Sequence, residues 1–330
     1  MVSIPSYNIN ILSQGKPADK IEEMFNSQDM PFMNRIISGL YAPGSTIKPL
    51  MAMAALNEKS IDPKQTYYFG KQLVVPNIYD PENPSIFRDW KDQGVVDMET
   101  SLAYSCNIYF YAIGGGYEDK EIEGIGSKKI KDYWEKFHLG KSLGVDLYGE
   151  QDGVLPDKKW KLDNKNEPWY LGDTYNISIG QGDLLVTPIQ IAYYMASIAN
   201  DGEILKPYLA KKILNENNGI TFSQSKKTLS NLNFKQDYFN IVNNGMRKVI
   251  TMGSAGMLQN IDMKVAGKTG TPQIAAGTKT NAFFVSFAPY EDPEILLLIM
   301  LEEPPEGSIT TIPIADKILR WYEENRFNKK

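Results

Sequence analysis

Ser45 and Lys48 form the first group in this sequence that could carry out chemistry, a serine followed by a lysine three positions later. That spacing places both side chains on one face of a helix. The apolar residues that follow predict a buried helix over about residues 45–57, and a buried lysine needs a reason to be there. A lysine can take a serine's proton only when it is neutral, and burial or a nearby cation lowers its pKa for this task. The pair predicts a nucleophilic serine whose base is a neutral lysine.

Ser105 and Asn107 form a second group, on either side of Cys106 and between two predicted helices. A serine hydroxyl both accepts and donates a proton, and an asparagine amide can hold a peptide group of a substrate. As an isolated tripeptide, the same pattern also fits an ordinary polar helix junction.

A third group, Lys-Thr-Gly-Thr at residues 268–271, lies near the end of a predicted strand. An ammonium group and hydroxyl groups together suit a carboxylate, and a glycine lets a substrate or a facing helix come close. A strand at the edge of a sheet could also pair with an extended peptide. The candidate residues of this group are Lys268, Thr269, Gly270 and Thr271.

The pattern of apolar and polar residues predicts the helices and strands that must position these groups. Apolar runs predict strands at about 1–10, 263–271, 282–288 and 295–301, and a final amphipathic helix at 314–323. Asp97 suits the N-cap of a short helix, another helix runs from Asn107 to a glycine run at 114–116, and Thr187-Pro188 opens a helix to about residue 199. Pro49 removes an early hydrogen bond from the helix after Ser45. The order predicts an α+β fold, an antiparallel sheet covered by helices with a helical lobe inserted early.

Composition excludes several classes of function. The 35 Lys and Arg residues are outnumbered by 40 Asp and Glu residues, and the net charge of −5 argues against nucleic acid as a partner. With one cysteine and one histidine, the chain cannot form a metal site from several such ligands, so we expect no metal and no cofactor. No apolar stretch is long enough to span a membrane, and no signal peptide follows Met1.

The motifs S-x-x-K, S-x-N and K-T-G, in this order, are the signature of penicillin-binding proteins and class A β-lactamases. Three further segments resemble the transpeptidase domain of class B penicillin-binding proteins, most of all the elongation-specific penicillin-binding protein 2 group. These are Val2 to Tyr7, similar to the first strand of that domain, the approach to the nucleophile at 41–46, and the stretch from Trp169 to Pro188. The resemblance covers nearly the whole chain.

The resemblance implies one catalytic domain over 1–330 with the penicillin-binding-protein/β-lactamase fold. Its sheet lobe would comprise about 1–58 and 176–330, and its helical and loop lobe about 59–175. A membrane anchor and an N-terminal pedestal domain would lie outside this chain. The parent protein would be anchored in the cytoplasmic membrane, with this domain on the periplasmic side, and would work with a glycan polymerase and a scaffold protein of the rod complex.

The resemblance also implies residue roles. Ser45 would attack the penultimate D-Ala of a peptidoglycan stem peptide, with Lys48 as base and Ser105 as proton relay, and β-lactam antibiotics would acylate the same serine. Asn107 would hold the substrate amide. The substrate's carboxylate would contact Lys268, Thr269 and Thr271, and Lys268 would also lower the pKa of Lys48.

Three other functions share these motifs. A class A β-lactamase needs a glutamate in an E-x-x-L-N loop, and no such string occurs here. A D,D-carboxypeptidase usually has its second and third motifs closer together. A β-lactam-sensing receptor domain is acylated without turnover, and the sequence leaves this alternative and the carboxypeptidase open.

Overall fold

A computed structural model describes residues 1–77, 80–274 and 278–329. The α-helices of these residues, in chain order, are α1 Ile9–Gln14, α2 Ala18–Asn26, α3 Arg35–Ser38, α4 Lys48–Glu58, α5 Met98–Ala103, α6 Asn107–Gly115, α7 Gly126–Lys136, α8 Lys158–Lys165, α9 Leu171–Ser178, α10 Pro188–Ala199, α11 Gln236–Thr251 and α12 Ile312–Tyr322. Short 3-10 helices occur at Gly44–Ile47, Glu118–Lys120, Gly256–Asn260 and Gly307–Thr311, and a π-helix at Glu323–Phe327.

The strands are short except in the central sheet. In chain order they are β1 Tyr67–Phe69, β2 Gln72–Val75, β3 Ser85–Arg88, β4 Gly94–Val96, β5 Glu203–Leu205, β6 Lys212–Leu214, β7 Ile220–Ser223, β8 Thr228–Asn231, β9 Ala266–Gly270, β10 Gln273–Ile274, β11 Lys279–Thr280, β12 Ala282–Ala288 and β13 Ile295–Leu301. The central sheet has the order β13-β12-β9 and is antiparallel. The other strands form antiparallel pairs, β1 with β4, β2 with β3, β5 with β8, β6 with β7 and β10 with β11.

Strand β12 lies in the middle of this sheet and is buried along its whole length. Its side chains alternate between two hydrophobic cores, because successive residues of a strand point to opposite faces. Phe283 and Val285 enter a large core that includes α4 and α10. Phe284 and Ala288 enter a smaller core formed with α12. Helices therefore cover both faces of the sheet, as the α+β prediction required.

Helix α4 crosses the large core and is buried over nine consecutive residues, from Lys48 to Leu56. The predicted helix at 45–57 is confirmed, but its first turn, Gly44–Ile47, is a 3-10 helix that contains Ser45. The α-helix proper begins at Lys48, so Pro49 lies in its first turn. Proline is tolerated at this position, because its fixed φ suits the first turn of an α-helix.

The helix caps predicted before the second motif and at the start of α10 are confirmed. Asp97 caps α5 in a capping box with Thr100, and Thr187 caps α10 in another with Gln190. Helix α6 begins at Asn107, as expected. The strands at 282–288 and 295–301 have the predicted bounds, whereas β9 is shorter than the predicted 263–271.

The strand predicted at 1–10 is wrong, so the segment from Val2 to Tyr7, which resembles the family in sequence, does not form a strand in this structure. Residues 1–8 form neither helix nor strand, and α1 follows them. The Asn8 side chain accepts a hydrogen bond from the amide of Asn10 and so caps this helix. Val2 and Ile4 are mostly exposed, so their apolar alternation faces no sheet against which a strand could be buried.

Candidate active site

Ser45 lies in the 3-10 turn that leads into α4, and tight backbone contacts hold this turn. Gly44 has a φ of +55°, and its amide donates to the carbonyl oxygen of Gly180 at 2.9 Å. A Cβ at Gly180 would stand 2.2 Å from the Gly44 oxygen. Because real Cβ atoms do not come so close, both positions require glycine, and the nucleophile candidate is placed by segments far apart in sequence.

Gly270, at the end of β9, lies against the same turn. A Cβ on Gly270 would be 2.9 Å from the Cγ2 of Thr46 and 3.1 Å from the carbonyl oxygen of Pro43. The absence of a side chain therefore lets β9 run alongside the residues that flank Ser45. The sequence interpretation that this glycine permits close approach matches the geometry.

Lys48 is completely buried, and its amine nitrogen Nζ donates to three oxygens. These are Asn107 Oδ1 at 2.7 Å, the Ser105 carbonyl at 2.8 Å and Ser105 Oγ at 3.3 Å. The nitrogen also lies 5.4 Å from the centre of the Phe110 ring. Three acceptors match the three N–H bonds of an ammonium group, so the site is built to hold a protonated Lys48.

Burial lowers the pKa of Lys48 to about 8, while the charge of Asp89 acts in the opposite direction. The lowered pKa agrees with the sequence prediction. The opposing effect of Asp89 could not be predicted from the sequence, because this acid lies in a distant loop.

Lys268 is also completely buried, and its Nζ donates to Ser105 Oγ at 2.9 Å and to the Thr269 carbonyl at 3.2 Å. Burial, together with the charge of Lys48, lowers the pKa of Lys268 well below its ordinary value. Two buried amines beside one hydroxyl repel each other when both are charged, so protons leave them as a coupled pair.

Ser105 joins the second motif to both lysines through an uncommon backbone conformation. Its φ is +56°, in the left-handed region that glycine usually occupies. It follows the C-cap of α5, where the Ser105 amide donates to Leu102 and the Cys106 amide to Ser101, the hydrogen bonds of a Schellman motif.

The structure thus brings Lys48, Ser105, Asn107 and Lys268 into direct hydrogen-bond contact. Ser45 and Gly270 belong to the adjoining turn and strand. Thr269 is buried, and its hydroxyl forms a hydrogen bond of 2.8 Å with Ser254. Thr271 follows β9 and is exposed.

Two residues that contact this cluster were not singled out from the sequence. Ser254 reaches Thr269 from the segment after α11. Asp89 follows β3 and accepts hydrogen bonds from the first amides of α6, those of Asn107 and Ile108. Neither position carries a local pattern, since both contacts form only when distant parts of the chain fold together.

In the described ranges, no cluster of His, Cys, Asp and Glu side chains could hold a metal ion. None of the helices in these ranges combines the length and the apolar character needed to cross a membrane. The side chains that the site brings together are the Ser45 hydroxyl in the turn before α4, the amines of Lys48 and Lys268, and the Ser105 hydroxyl that contacts both amines.

The family model described as the penicillin binding protein transpeptidase domain matches residues 1–320, and this chain belongs to that family. The peptidoglycan D,D-transpeptidase MrdA of Salmonella typhimurium (strain LT2) is 30% identical over 341 residues, which cover 97% of this chain and 52% of the relative. The chain spans about half the length of the curated relatives it matches.

Solved structures support the same assignment of fold. PBP2 of Pseudomonas aeruginosa in complex with WCK 5153 has a TM-score of 0.83 and 28% identity, over 99% of this chain and 71% of that one. PBP2 of Helicobacter pylori in complex with MreC has the same TM-score and identity, over 99% and 57%. A peptidoglycan synthase complex that coordinates polymerization and crosslinking gives 0.82 and 26%, over 99% and 53%.

Proposed function

We propose that this domain is a serine-type peptidoglycan D,D-transpeptidase that forms peptide cross-links through an acyl-enzyme and is acylated by β-lactams. The observation that carries the proposal is the position of the Ser105 hydroxyl, within hydrogen-bond distance of both Lys48 and Lys268. A hydroxyl between two amines of lowered pKa can pass a proton in either direction. Proton transfer away from a nucleophile and towards a leaving amine is what acyl transfer requires.

In the proposed reaction, Ser45 Oγ attacks the carbonyl carbon of the penultimate D-Ala, and neutral Lys48 takes its proton. The bond from that carbon to the terminal D-Ala nitrogen then breaks. The leaving nitrogen receives a proton through Ser105, and an ester to Ser45 remains. The amine of a neighbouring strand attacks the acyl carbon of this ester and gives up a proton to the same relay. The bond from that carbon to Ser45 Oγ breaks, Oγ regains a proton from Lys48, and the new amide is the cross-link.

The oxyanion that forms during both attacks needs hydrogen-bond donors that are already in place. We assign this role to the backbone amides of Ser45 and Thr271, because Gly270 holds the end of β9 against the turn that carries Ser45. A donor of this kind typically contributes about 2.7–4 kcal/mol to the stability of the transition state.

We assign the substrate's terminal carboxylate to Lys268, Thr269 and Thr271, and its amide to Asn107. Thr271 is exposed at the end of β9, where an incoming peptide would meet it. Strand β9 is also an edge of the described central sheet, which lets an extended peptide pair with its backbone.

The first experiment uses a fluorescent penicillin. Ser45→Ala should abolish covalent labelling and leave the melting temperature within a few degrees of the wild type, since one hydroxyl is lost from a half-buried position. Label that persists on another serine would contradict the assignment of the nucleophile.

The second experiment distinguishes the transpeptidase from the two alternatives that the sequence leaves open, the carboxypeptidase and the sensor domain. The purified domain is incubated with a stem-peptide mimic, with and without an acceptor amine. A new amide that forms only with the acceptor supports the transpeptidase. Release of D-Ala without an acceptor indicates a carboxypeptidase, and labelling by penicillin without any turnover indicates a sensor domain.

We also propose that the parent protein is anchored in the cytoplasmic membrane and presents this domain on the periplasmic side. The domain itself would have a sheet lobe at about 1–58 and 176–330 and a helical and loop lobe at about 59–175. The partners of the parent protein would be a glycan polymerase and a scaffold protein. Support comes from the relatives, since one PBP2 was solved with MreC and another match is a synthase complex for polymerization and crosslinking. Co-purification of the full-length protein with such partners tests this proposal.

A further inference from the structure

Asp89 is a buried acid that lies in the loop directly after β3, with 4% of its surface exposed. Its two carboxylate oxygens accept four hydrogen bonds. Oδ1 accepts from the Trp90 amide at 2.8 Å and from Gln93 Nε2 at 2.9 Å. Oδ2 accepts from the amides of Asn107 at 2.6 Å and Ile108 at 3.1 Å. Each carboxylate oxygen thus has two donors, so the buried acid is fully paired.

The two bonds to Oδ2 link Asp89 to the catalytic cluster. They satisfy the first amides of α6, which have no partner within the helix, and they place a negative charge at the positive end of the helix dipole. Asn107 is the first residue of α6, and its side chain accepts from Lys48. The position of Asp89 therefore fixes the backbone from which Asn107 reaches Lys48.

Asp89 also contributes the negative charge that Lys48 faces. Its charge raises the pKa of Lys48, against the effect of burial. The other titratable groups that face Lys48 among the described residues are Cys106 and Lys268. Burial raises the pKa of the Cys106 thiol, which stays neutral, and Lys268 is a second amine. Asp89 is thus the acid whose charge acts on Lys48.

We propose that Asp89 is a positioning residue for acyl transfer, which holds the start of α6 and keeps a compensating charge beside Lys48. This inference rests on the proposed function, because it concerns the same nucleophile and base. It adds an acid outside the three motifs to the machinery of the site.

The test measures the second-order rate of acylation by a fluorescent penicillin as a function of pH in three proteins: the wild type, Asp89→Asn and Gln93→Leu. Asp89→Asn keeps the size of the side chain but removes its charge. Gln93→Leu is the matched control, because it removes one hydrogen bond to Asp89 and leaves both the charge and the bonds to α6 in place.

The acylation rate should rise with pH as Lys48 loses its proton and then reach a plateau, and the midpoint is the pH at half of the plateau rate. We expect Asp89→Asn to move this midpoint to lower pH, because Lys48 loses the charge that raises its pKa. The plateau rate of acylation at high pH should fall about 10- to 100-fold, which is the effect expected when reacting groups are slightly misplaced. Gln93→Leu should leave the midpoint where the wild type has it. A midpoint that stays unchanged in folded Asp89→Asn, or moves equally in Gln93→Leu, overturns the inference.

Asp89→Glu provides a second arm should Asp89→Asn fail to fold. It keeps the charge on a longer side chain, so the midpoint should stay near that of the wild type while the rate falls. A midpoint that moves to lower pH in folded Asp89→Glu also overturns the inference. Absence of labelling in the wild type would instead contradict the proposed function, so the two failures are distinguishable.

Discussion

The amine nitrogens of Lys48 and Lys268 share one partner, the hydroxyl of Ser105, at 3.3 and 2.9 Å. Both lysines are completely buried, and α4 and β9 approach the hydroxyl from different parts of the fold. Desolvation lowers the pKa of both amines. Two amines of lowered pKa thus contact one hydroxyl, and the predictions for Lys48 and Ser105 depend on this arrangement.

The pH dependence of acylation should follow the deprotonation of this pair. Lys48 must lose its proton before it can act as base, and its pKa is lowered to about 8. The acylation rate should therefore rise with pH, by about tenfold per unit below the midpoint, and level off above pH 8. Fluorescent-penicillin labelling over pH 5.5–9.5, sampled at intervals of ~0.5 unit, measures this.

Lys48→Arg serves as the comparison for the same profile. Arginine keeps the positive charge but does not lose its proton in a protein, so this variant should show neither the ascending limb nor measurable acylation. A variant Lys48→Arg that is acylated at the wild-type rate would rule out Lys48 as the base.

Two substitutions of Ser105 should lower the acylation rate equally but differ in the stability of the fold. Ser105→Gly and Ser105→Ala both remove the hydroxyl between the two amines, so both should slow acylation by about 10²–10⁴-fold. At a φ of +56°, however, only alanine retains the strain of a Cβ. We expect Ser105→Gly to be the more stable of the two by about 1 kcal/mol in the free energy of unfolding. Urea denaturation of both variants checks the order, and equal stabilities would contradict the strain argument.

The contact of Gly270 with the nucleophile turn should be sensitive to a single methyl group. Gly270→Ala would bring a Cβ to within 2.9 Å of Thr46 and so push β9 away from Ser45. We expect acylation to fall about 10²-fold, as for a displacement of about 1 Å.

Gly256→Ala is the control for this substitution, because the nearest atom to a Cβ there lies 3.9 Å away. It should be acylated at nearly the wild-type rate. Equal losses of labelling in the two variants would show that the effect is not specific to the turn.

The acyl-enzyme formed with penicillin should be long-lived. Asp89 is the described carboxylate that acts on Lys48, and four donors already occupy it, so it is not placed to activate a water molecule. Loss of a general base typically lowers a rate by about 10²–10⁴-fold. Intact-protein mass spectrometry after a short penicillin pulse should find the added mass for many minutes. Its loss within seconds would mean that the protein is a β-lactamase.

The sequence by itself determined the local parts of this protein. Helix α10 has a proline and a capping box in its own first turn, and β12 and β13 have the bounds that their apolar runs predicted, because these signals lie within the elements. The motifs at Ser45, Ser105 and Lys268 were identified for the same reason, since each is a short pattern with a fixed spacing. The first strand was predicted wrongly, because apolar alternation does not reveal whether a partner strand is present.

Only the tertiary structure decided how these parts act together. The chain brings Lys268 to Ser105 across 163 positions, and Asp89 to Asn107 across 18, and no pattern within either segment encodes these contacts. The burial that lowers the pKa of Lys48, and the acid that opposes this effect, arise from such contacts. A lysine's proton affinity depends on the solvent and charges that folding leaves around it, so the charge state of Lys48 is a property of the fold.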